Sequence, residues 1–146
     1  MTKIKFKNNI REEQLQFAVI VAKMHGKWVL CKHRDRVTYE FPGGHRENGE
    51  SIFDTAKREL KEETGAINFT LQRICNYSVC GKTREGEQFD SEQFGALFYA
   101  EILTKEDELY SEIETIILSD DLPDNWTYSS IMPQLIHKVK ETGYGI

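Results

Sequence analysis

Three glutamates, Glu59, Glu62 and Glu63, are the residues of this chain best spaced for chemistry; they lie in the run Arg58-Glu59-Leu60-Lys61-Glu62-Glu63. At about 100° per residue on a helix, with Glu59 at zero, Glu62 and Glu63 fall at roughly 300° and 40°. The three carboxylates therefore share one edge. Ile52, Ala56, Leu60 and Phe53 fall at roughly 20°, 60°, 100° and 120°, so the acid edge borders an apolar stripe. Lys57, Lys61 and Asp54 point the other way, and the lysines do not neutralise the trio. Glu59 and Glu63 stand at i and i+4, where like charges oppose helix formation by about 0.2–0.5 kcal/mol. A partly buried trio of acids calls for a cation. Hard oxygen ligands suit Mg²⁺ or Mn²⁺, with phosphate oxygens completing the shell. By spacing alone, the same acids also fit an ordinary solvated Glu-rich helix.

The helix that would carry them is predicted over residues 51–64. Ser51 is its N-cap, Asp54 the partner three residues on, and Gly65 the left-handed C-terminal cap. A second helix is predicted over 130–141, with Met132, Leu135, Ile136 and Val139 as its apolar stripe and Pro133 in its first turn. Residues 16–22 (QFAVIVA) read as a buried strand, and 28–31 as a second strand joined to it by a turn at His25-Gly26-Lys27. Residues 67–80, 93–103 and 113–118 read as further strands, with a polar loop at 81–90. Strands in mixed order with one helix in the middle and one at the end predict an α/β sandwich, a mixed β-sheet between helices.

Composition bounds the rest. At 146 residues, 39% hydrophobic and 29% charged, the expectation is a single domain over 1–146 with a self-sufficient core. No apolar run approaches the ~18 residues of a membrane span. The N-terminus is basic without an apolar segment and does not read as a signal peptide. A net charge of −5 argues against non-specific nucleic-acid binding. The odd number of cysteines, Cys31, Cys75 and Cys80, without an export signal predicts reduced thiols in the cytoplasm. Cys75 and Cys80 lack the second pair of a zinc site.

The segment from Gly44 to Ala66 resembles the Nudix box, G-x5-E-x7-R-E-U-x-E-E-x-G-U, where U is a bulky aliphatic. The matches are Gly44, Glu50, Arg58, Glu59, Leu60, Glu62, Glu63 and Gly65; Ala66 is smaller than usual. Glu40-Phe41-Pro42-Gly43 resembles the family's lead-in. The resemblance implies an α/β/α sandwich and hydrolysis of a nucleoside diphosphate linked to another group, water attacking one phosphorus with Mg²⁺ (or Mn²⁺) as cofactor. It also implies roles. Glu62 and Glu63 would be metal ligands, Glu59 a ligand or the base, and Glu50 a support or second-metal ligand. A carbonyl of Gly43 or Gly44 would add an oxygen, and Arg58 would orient Glu59. A carboxylate outside the box would be Glu112 first and Glu114 second.

Phosphate binding requires cations outside the box. Lys32, His33, Arg34 and Arg36 cluster before the glycine turn, with Arg34 and Arg36 on one side of an extended segment; Lys82 and Arg84 are further candidates. Phe17, Tyr39, Tyr77 and Phe94 are candidates for stacking a base, and each equally suits a core position. His25, His45 and His137 read as turn or surface residues. The proline that similar ADP-ribose hydrolases carry beyond the box is absent from 80–83, and the tyrosine of similar dinucleoside polyphosphate hydrolases from 82–84. What remains resembles the MutT-type nucleoside triphosphatases. His33-x-Asp35-Arg36, Tyr39 to Gly44 and Ser130-Ile131-Met132 look like their YtkD-like bacterial branch. The implied activity is (d)NTP to nucleoside monophosphate and pyrophosphate, oxidised guanine nucleotides included. In this group an asparagine near the last helix reads the purine, and Asn125 is the candidate here. The alternatives are an RNA 5′-pyrophosphohydrolase and a non-catalytic nucleotide-binding module. The expected partner is a nucleotide, without a membrane or a stable nucleic-acid complex.

Overall fold

A computed structural model describes residues 3–7, 9–84, 87–106 and 113–144, with the side chains of all of these except 81–91, 113 and 114. The strands are β1 (Lys3–Lys7), β2 (Phe17–Met24), β3 (Lys27–His33), β4 (Gly43–His45), β5 (Ala66–Arg84), β6 (Glu87–Lys105) and β7 (Ile113–Ser119). The helices are α1 (Ile52–Thr64) and α2 (Met132–Glu141). The strands form one sheet in the order β1-β5-β6-β2-β3-β7, with β4 paired to β2.

The sheet is mixed because β2 runs parallel to β6, whereas the other pairings are antiparallel. β2 is central and covered on both faces, which is why its apolar residues run on without alternation. It returns into β3 through His25 and Gly26, both at positive φ (54° and 76°), the twist that two-residue hairpins favour. β5 and β6 continue to Arg84 and from Glu87, through the stretch expected as a loop. Backbone ladder bonds can carry such an outer arm without apolar residues, so a polar composition there does not distinguish strand from loop. β1 and the three-residue β4 were not expected from the sequence.

α1 starts where Ser51 Oγ accepts from the Asp54 N–H (3.0 Å) and Asp54 returns the bond to the Ser51 N–H (3.4 Å). It ends at Gly65 with φ 77°. Ile52, Ala56 and Leu60 are fully buried, packing on one face of the sheet with Ala18, Ile20 and Phe98. Phe53, expected in that stripe, is 42% exposed. At the stripe's margin it only leans edge-on against Phe98, with ring centres 6.0 Å apart. α2 begins two residues later than expected, after a turn through 127–131. Met132, Leu135, Ile136 and Val139 cover the opposite face with Val21, Leu30 and Leu97. The result is the α/β/α sandwich.

One irregularity sets the place of the site. β2 pairs with β4 at Phe17, Ala18 and Val19, but with β3 only at Lys23 and Met24. The sheet therefore forks beside Ile20, whose N–H is taken by the Pro42 carbonyl (2.9 Å). Among the described residues, no helix is long and apolar enough to cross a membrane.

Candidate active site

The glycine segment Gly43-Gly44 sits in this fork and meets α1. A Cβ on Gly44 would lie 2.5–2.8 Å from the carboxyl atoms of Glu59, so only glycine lets that carboxylate rest against the main chain. A Cβ on Gly43 would lie 2.5 Å from the Ala18 carbonyl oxygen. The Gly43 N–H donates to Glu63 Oε1 (2.9 Å). The two glycines thus receive two of the three acids expected along the helix edge.

Arg58 gathers Glu59 and three further acids. Its Nε and Nη2 fork onto Glu50 at 2.6 and 3.0 Å, and Nη2 also donates to the His45 carbonyl at 3.0 Å. Nη1 lies 2.5 Å from Glu59 Oε1 and 3.4 Å from both Glu62 Oε2 and Glu47 Oε1. Four carboxylates therefore surround one guanidinium and leave a local excess of negative charge. Hydrogen bonds from Arg58 hold the Glu50 carboxyl down at about 2. Hydrogen bonding to Glu50 in turn pushes the Arg58 guanidinium above its ordinary value. Burial pushes Glu59 above the usual carboxylate range, outweighing the opposing pull of Arg58.

The donors are all hard oxygens and carry more negative charge than Arg58 cancels, which fits a hard divalent cation. Among the described residues, no three acidic, histidine or cysteine side chains are arranged to hold such an ion, the carboxylates being turned toward Arg58. Glu112 lies outside the described residues, as does the side chain of Glu114.

A second cluster flanks Glu63. His33 Nε2 lies 3.1 Å from Glu40 Oε1 and 3.8 Å from Glu63 Oε2, and Arg36 Nη1 donates to Glu40 Oε2 at 3.0 Å. Cys31 lies beneath them; burial, then the charges of Glu63 and Glu40, push its thiol well up. The segment expected to be extended turns at 34–35, and the Arg36 N–H reaches the His33 carbonyl (3.2 Å). The side shared by Arg34 and Arg36 is therefore lost: Arg34 is exposed, and Arg36 folds back onto Glu40. Lys32 is half-buried on β3.

On the α2 side of the fork lies a cavity of about 160 Å³. Its walls include Phe17, Tyr77, Tyr128, Met132 and Leu135, with Glu40, Gln93 and Gly44 among the groups at its edges. Phe17 meets Tyr77 edge-on, ring centres 5.8 Å apart. Of the four aromatic candidates, Phe17 and Tyr77 line this cavity and Tyr39 and Phe94 do not. Asn125 does not line it either; its amide donates to the Val37 carbonyl (3.2 Å) and ties two loops together. His45 is exposed, as expected of a surface residue, and it ends β4 at the rim of the cavity. Sequence reasoning missed Tyr128, Gln93 and the His33–Glu40 pair, whose roles depend on contacts between elements that no local pattern records.

The family model of the NUDIX domain matches residues 12–126. The chain is 33% identical over 135 residues, 86% of its length and 80% of the relative's, to YtkD of Bacillus subtilis (strain 168), provisionally named an 8-oxo-dGTP diphosphatase. The fold is similar to that of the Bacillus subtilis pyrophosphohydrolase BsRppH, solved as a glutamate-to-alanine variant. There the TM-score is 0.80 and the identity 28%, over 99% of this chain and 93% of that one. It is also similar to an ADP-ribose pyrophosphatase from Streptococcus suis, with a TM-score of 0.64 at 18% identity over 88% and 90% of the two chains.

Proposed function

Because the chain belongs to the Nudix hydrolase family, whose members generally need divalent metal ions, we propose that it is a pyrophosphohydrolase acting on nucleoside triphosphates. The products are the nucleoside monophosphate and pyrophosphate. One observation carries the choice of substrate: the aromatic-walled cavity and the acid cluster share Gly44 as a common boundary. An apolar slot with a few polar groups suits a base, and an oxygen-rich cluster beside it suits a metal-bound polyphosphate. The likeness to YtkD supports including oxidised guanine nucleotides among the substrates.

In this reading Glu59, Glu62 and Glu63 would hold the cation, with Glu50, a carbonyl of Gly43 or Gly44, and Glu112 as further ligands. Mg²⁺ (or Mn²⁺), when bound, offsets the charge developing on the phosphates. Arg58 fixes Glu59 through the 2.5 Å contact. Glu59, where it serves as the base instead, accepts a proton from the attacking water. A new P–O bond forms at the attacked phosphorus in line with the bridging P–O bond that breaks, which separates the nucleoside monophosphate from pyrophosphate. Phe17 and Tyr77 hold the base, and Lys32 and Arg34 serve the phosphates from β3 and the turn after it, with Arg36 joining them only by releasing Glu40. The chain works as one domain, in the cytoplasm, with the nucleotide as its partner.

The test is a panel of (d)NTPs, 8-oxo-dGTP and a short 5′-triphosphorylated RNA, assayed with Mg²⁺ and product analysis. Monophosphate and pyrophosphate from free nucleotides support the proposal. Turnover of the RNA alone transfers the assignment to 5′-end processing. Binding without turnover by folded protein leaves a nucleotide-binding module. Glu59→Gln and Glu62→Gln abolish turnover with little loss of folding; near-normal activity in either removes its assigned role.

A further inference from the structure

The sequence groups Arg36 with the phosphate-binding cations, yet in the fold its guanidinium bridges two residues of the base cavity. Nη1 donates to Glu40 Oε2 at 3.0 Å. The same side chain hydrogen-bonds Tyr128, whose hydroxyl is the acceptor because a guanidinium offers only N–H donors. Glu40 and Tyr128 both line the cavity, and Arg36 does not. Glu40 is a fixed point: it is 8% exposed, and its backbone exchanges hydrogen bonds with Cys31 at 2.8 and 3.0 Å. The segment before Tyr128 is laced to the segment before Glu40. Tyr39 bridges Trp126, the Tyr39 N–H donates to the Asn125 carbonyl (3.1 Å), and the Thr127 N–H to the Tyr39 carbonyl (2.9 Å). The Thr38 and Thr127 hydroxyls lie 2.6 Å apart. Tyr128 follows this lacing, and its carbonyl receives the N–H groups of Ile131 (3.0 Å) and Met132 (2.9 Å), the bonds that lead into α2. Tyr128 is therefore the junction between the laced segment and the helix that brings Met132 and Leu135 to the cavity.

We propose that Arg36 is a positioning residue for the base cavity, clasping the Tyr128 hydroxyl to the Glu40 carboxylate; this rests on the function proposed above. The clasp runs from the buried Glu40 to the residue that opens the turn into α2. It holds the Tyr128 ring as a wall and, through that residue's carbonyl, the start of α2. A planar fork suits this task, because it meets two oxygens at defined directions. Without it the phenol loses a charge-assisted donor, and the turn into α2 has one restraint fewer. A wall that yields accepts a base in several poses, so affinity and the distinction between bases both fall. The acid cluster on α1 keeps its own guanidinium, Arg58, throughout. The same bonds weigh against a phosphate role for Arg36: a phosphate would have to draw the guanidinium off a carboxylate it already meets at 3.0 Å.

The experiment compares wild type, Arg36→Met, Arg36→Lys, Tyr128→Phe and the Arg36→Met/Tyr128→Phe double variant. It measures KM and kcat on the best triphosphate, the spread of kcat/KM across the bases, and inhibition by inorganic tripolyphosphate, a probe with phosphates and no base. The expected result is a KM raised about tenfold in Arg36→Met and in Tyr128→Phe, with kcat within about threefold and a narrower spread across the bases. The double variant is within about twofold of either single one, because both remove the same bond. Tripolyphosphate inhibition stays within about twofold of wild type. Arg36→Lys follows Arg36→Met, since a lone ammonium does not reproduce the fork. Tripolyphosphate inhibition that weakens in step with the nucleotide KM and recovers in Arg36→Lys overturns the inference and makes Arg36 a phosphate ligand. An unchanged KM in folded Arg36→Met overturns it too, as do effects that multiply in the double variant. If Arg36→Met does not fold, Arg36→Lys and Tyr128→Phe decide by the same measures. A wild-type protein that hydrolyses no triphosphate defeats the proposed function instead, and calorimetric binding of the nucleotide and of tripolyphosphate across the same variants still judges Arg36.

Discussion

Gly44→Ala tests the geometry of the acid cluster most directly. Gly44 has no positive φ, so alanine adds no backbone strain at this position. The added methyl would instead stand 2.5 Å from the Glu59 carboxyl carbon and 2.6 Å from Oε1, the oxygen beside Arg58 Nη1. Ordinary contact begins near 3.4 Å, so the carboxylate must retreat by roughly 1 Å. A displacement of about 1 Å in a catalytic group lowers turnover on the order of 100-fold, equivalent to roughly 2.7 kcal/mol of barrier. Stability should change by only about 1 kcal/mol, because the yielding atoms end a flexible side chain. Gly43→Ala is the contrast. Its methyl meets the Ala18 carbonyl, a backbone atom of the β2–β4 pairing that cannot swing aside, so about 3 kcal/mol of stability is lost. The assays are kcat at saturating triphosphate and Mg²⁺, and urea denaturation. Folded Gly44→Ala with wild-type kcat would show that the position of Glu59 against Gly44 is not its working position.

Phe17→Ala removes one wall of the cavity and should raise KM roughly tenfold or more while leaving Mn²⁺ binding unchanged; an unaltered KM places the base elsewhere. Leu60→Ala, at a fully buried position under α1, should lower unfolding free energy by about 2–5 kcal/mol, and a shift below 1 kcal/mol in urea denaturation contradicts the described packing. Glu50 is held at about 2 in the folded chain, so its charged form stabilises the fold above the ordinary carboxylate value and that contribution fades as pH falls toward 2. Melting temperatures of wild type and Glu50→Gln should therefore differ at pH 7 and converge across the acid range; a constant gap contradicts the linkage.

What could be read without coordinates was local and periodic. Ser51, Asp54 and Gly65 bound α1 because capping depends on residues three or four apart, and Ile52, Ala56 and Leu60 face the core because burial follows helical angle. Phe53 breaks that logic because the angle says nothing of how far the sheet extends beneath it. The outer β5–β6 arm escaped notice because its polar residues look alike in a loop and in an uncovered strand. Lys3–Lys7 joins β5 along the sheet edge, where its alternating lysines resemble a plain basic tail. The placement of Glu63 against Gly43, and of His33 against Glu40, depends on three separate segments converging. The expected side shared by Arg34 and Arg36 failed for a related reason: a backbone turn overrode strand parity.

The fork beside Ile20 separates two tasks in space. The arginine-centred acids belong to α1 and the turn that leads into it, on one face, whereas Tyr128, Met132 and Leu135 approach from the helix region on the other, and the two sets meet along Gly43, Gly44 and His45. If the proposed function holds, selectivity is free to drift through changes at the far helix while the acid cluster stays intact. Under the proposed function, exchanging the 128–135 stretch would retune base choice with the opposite helix left as an untouched chassis.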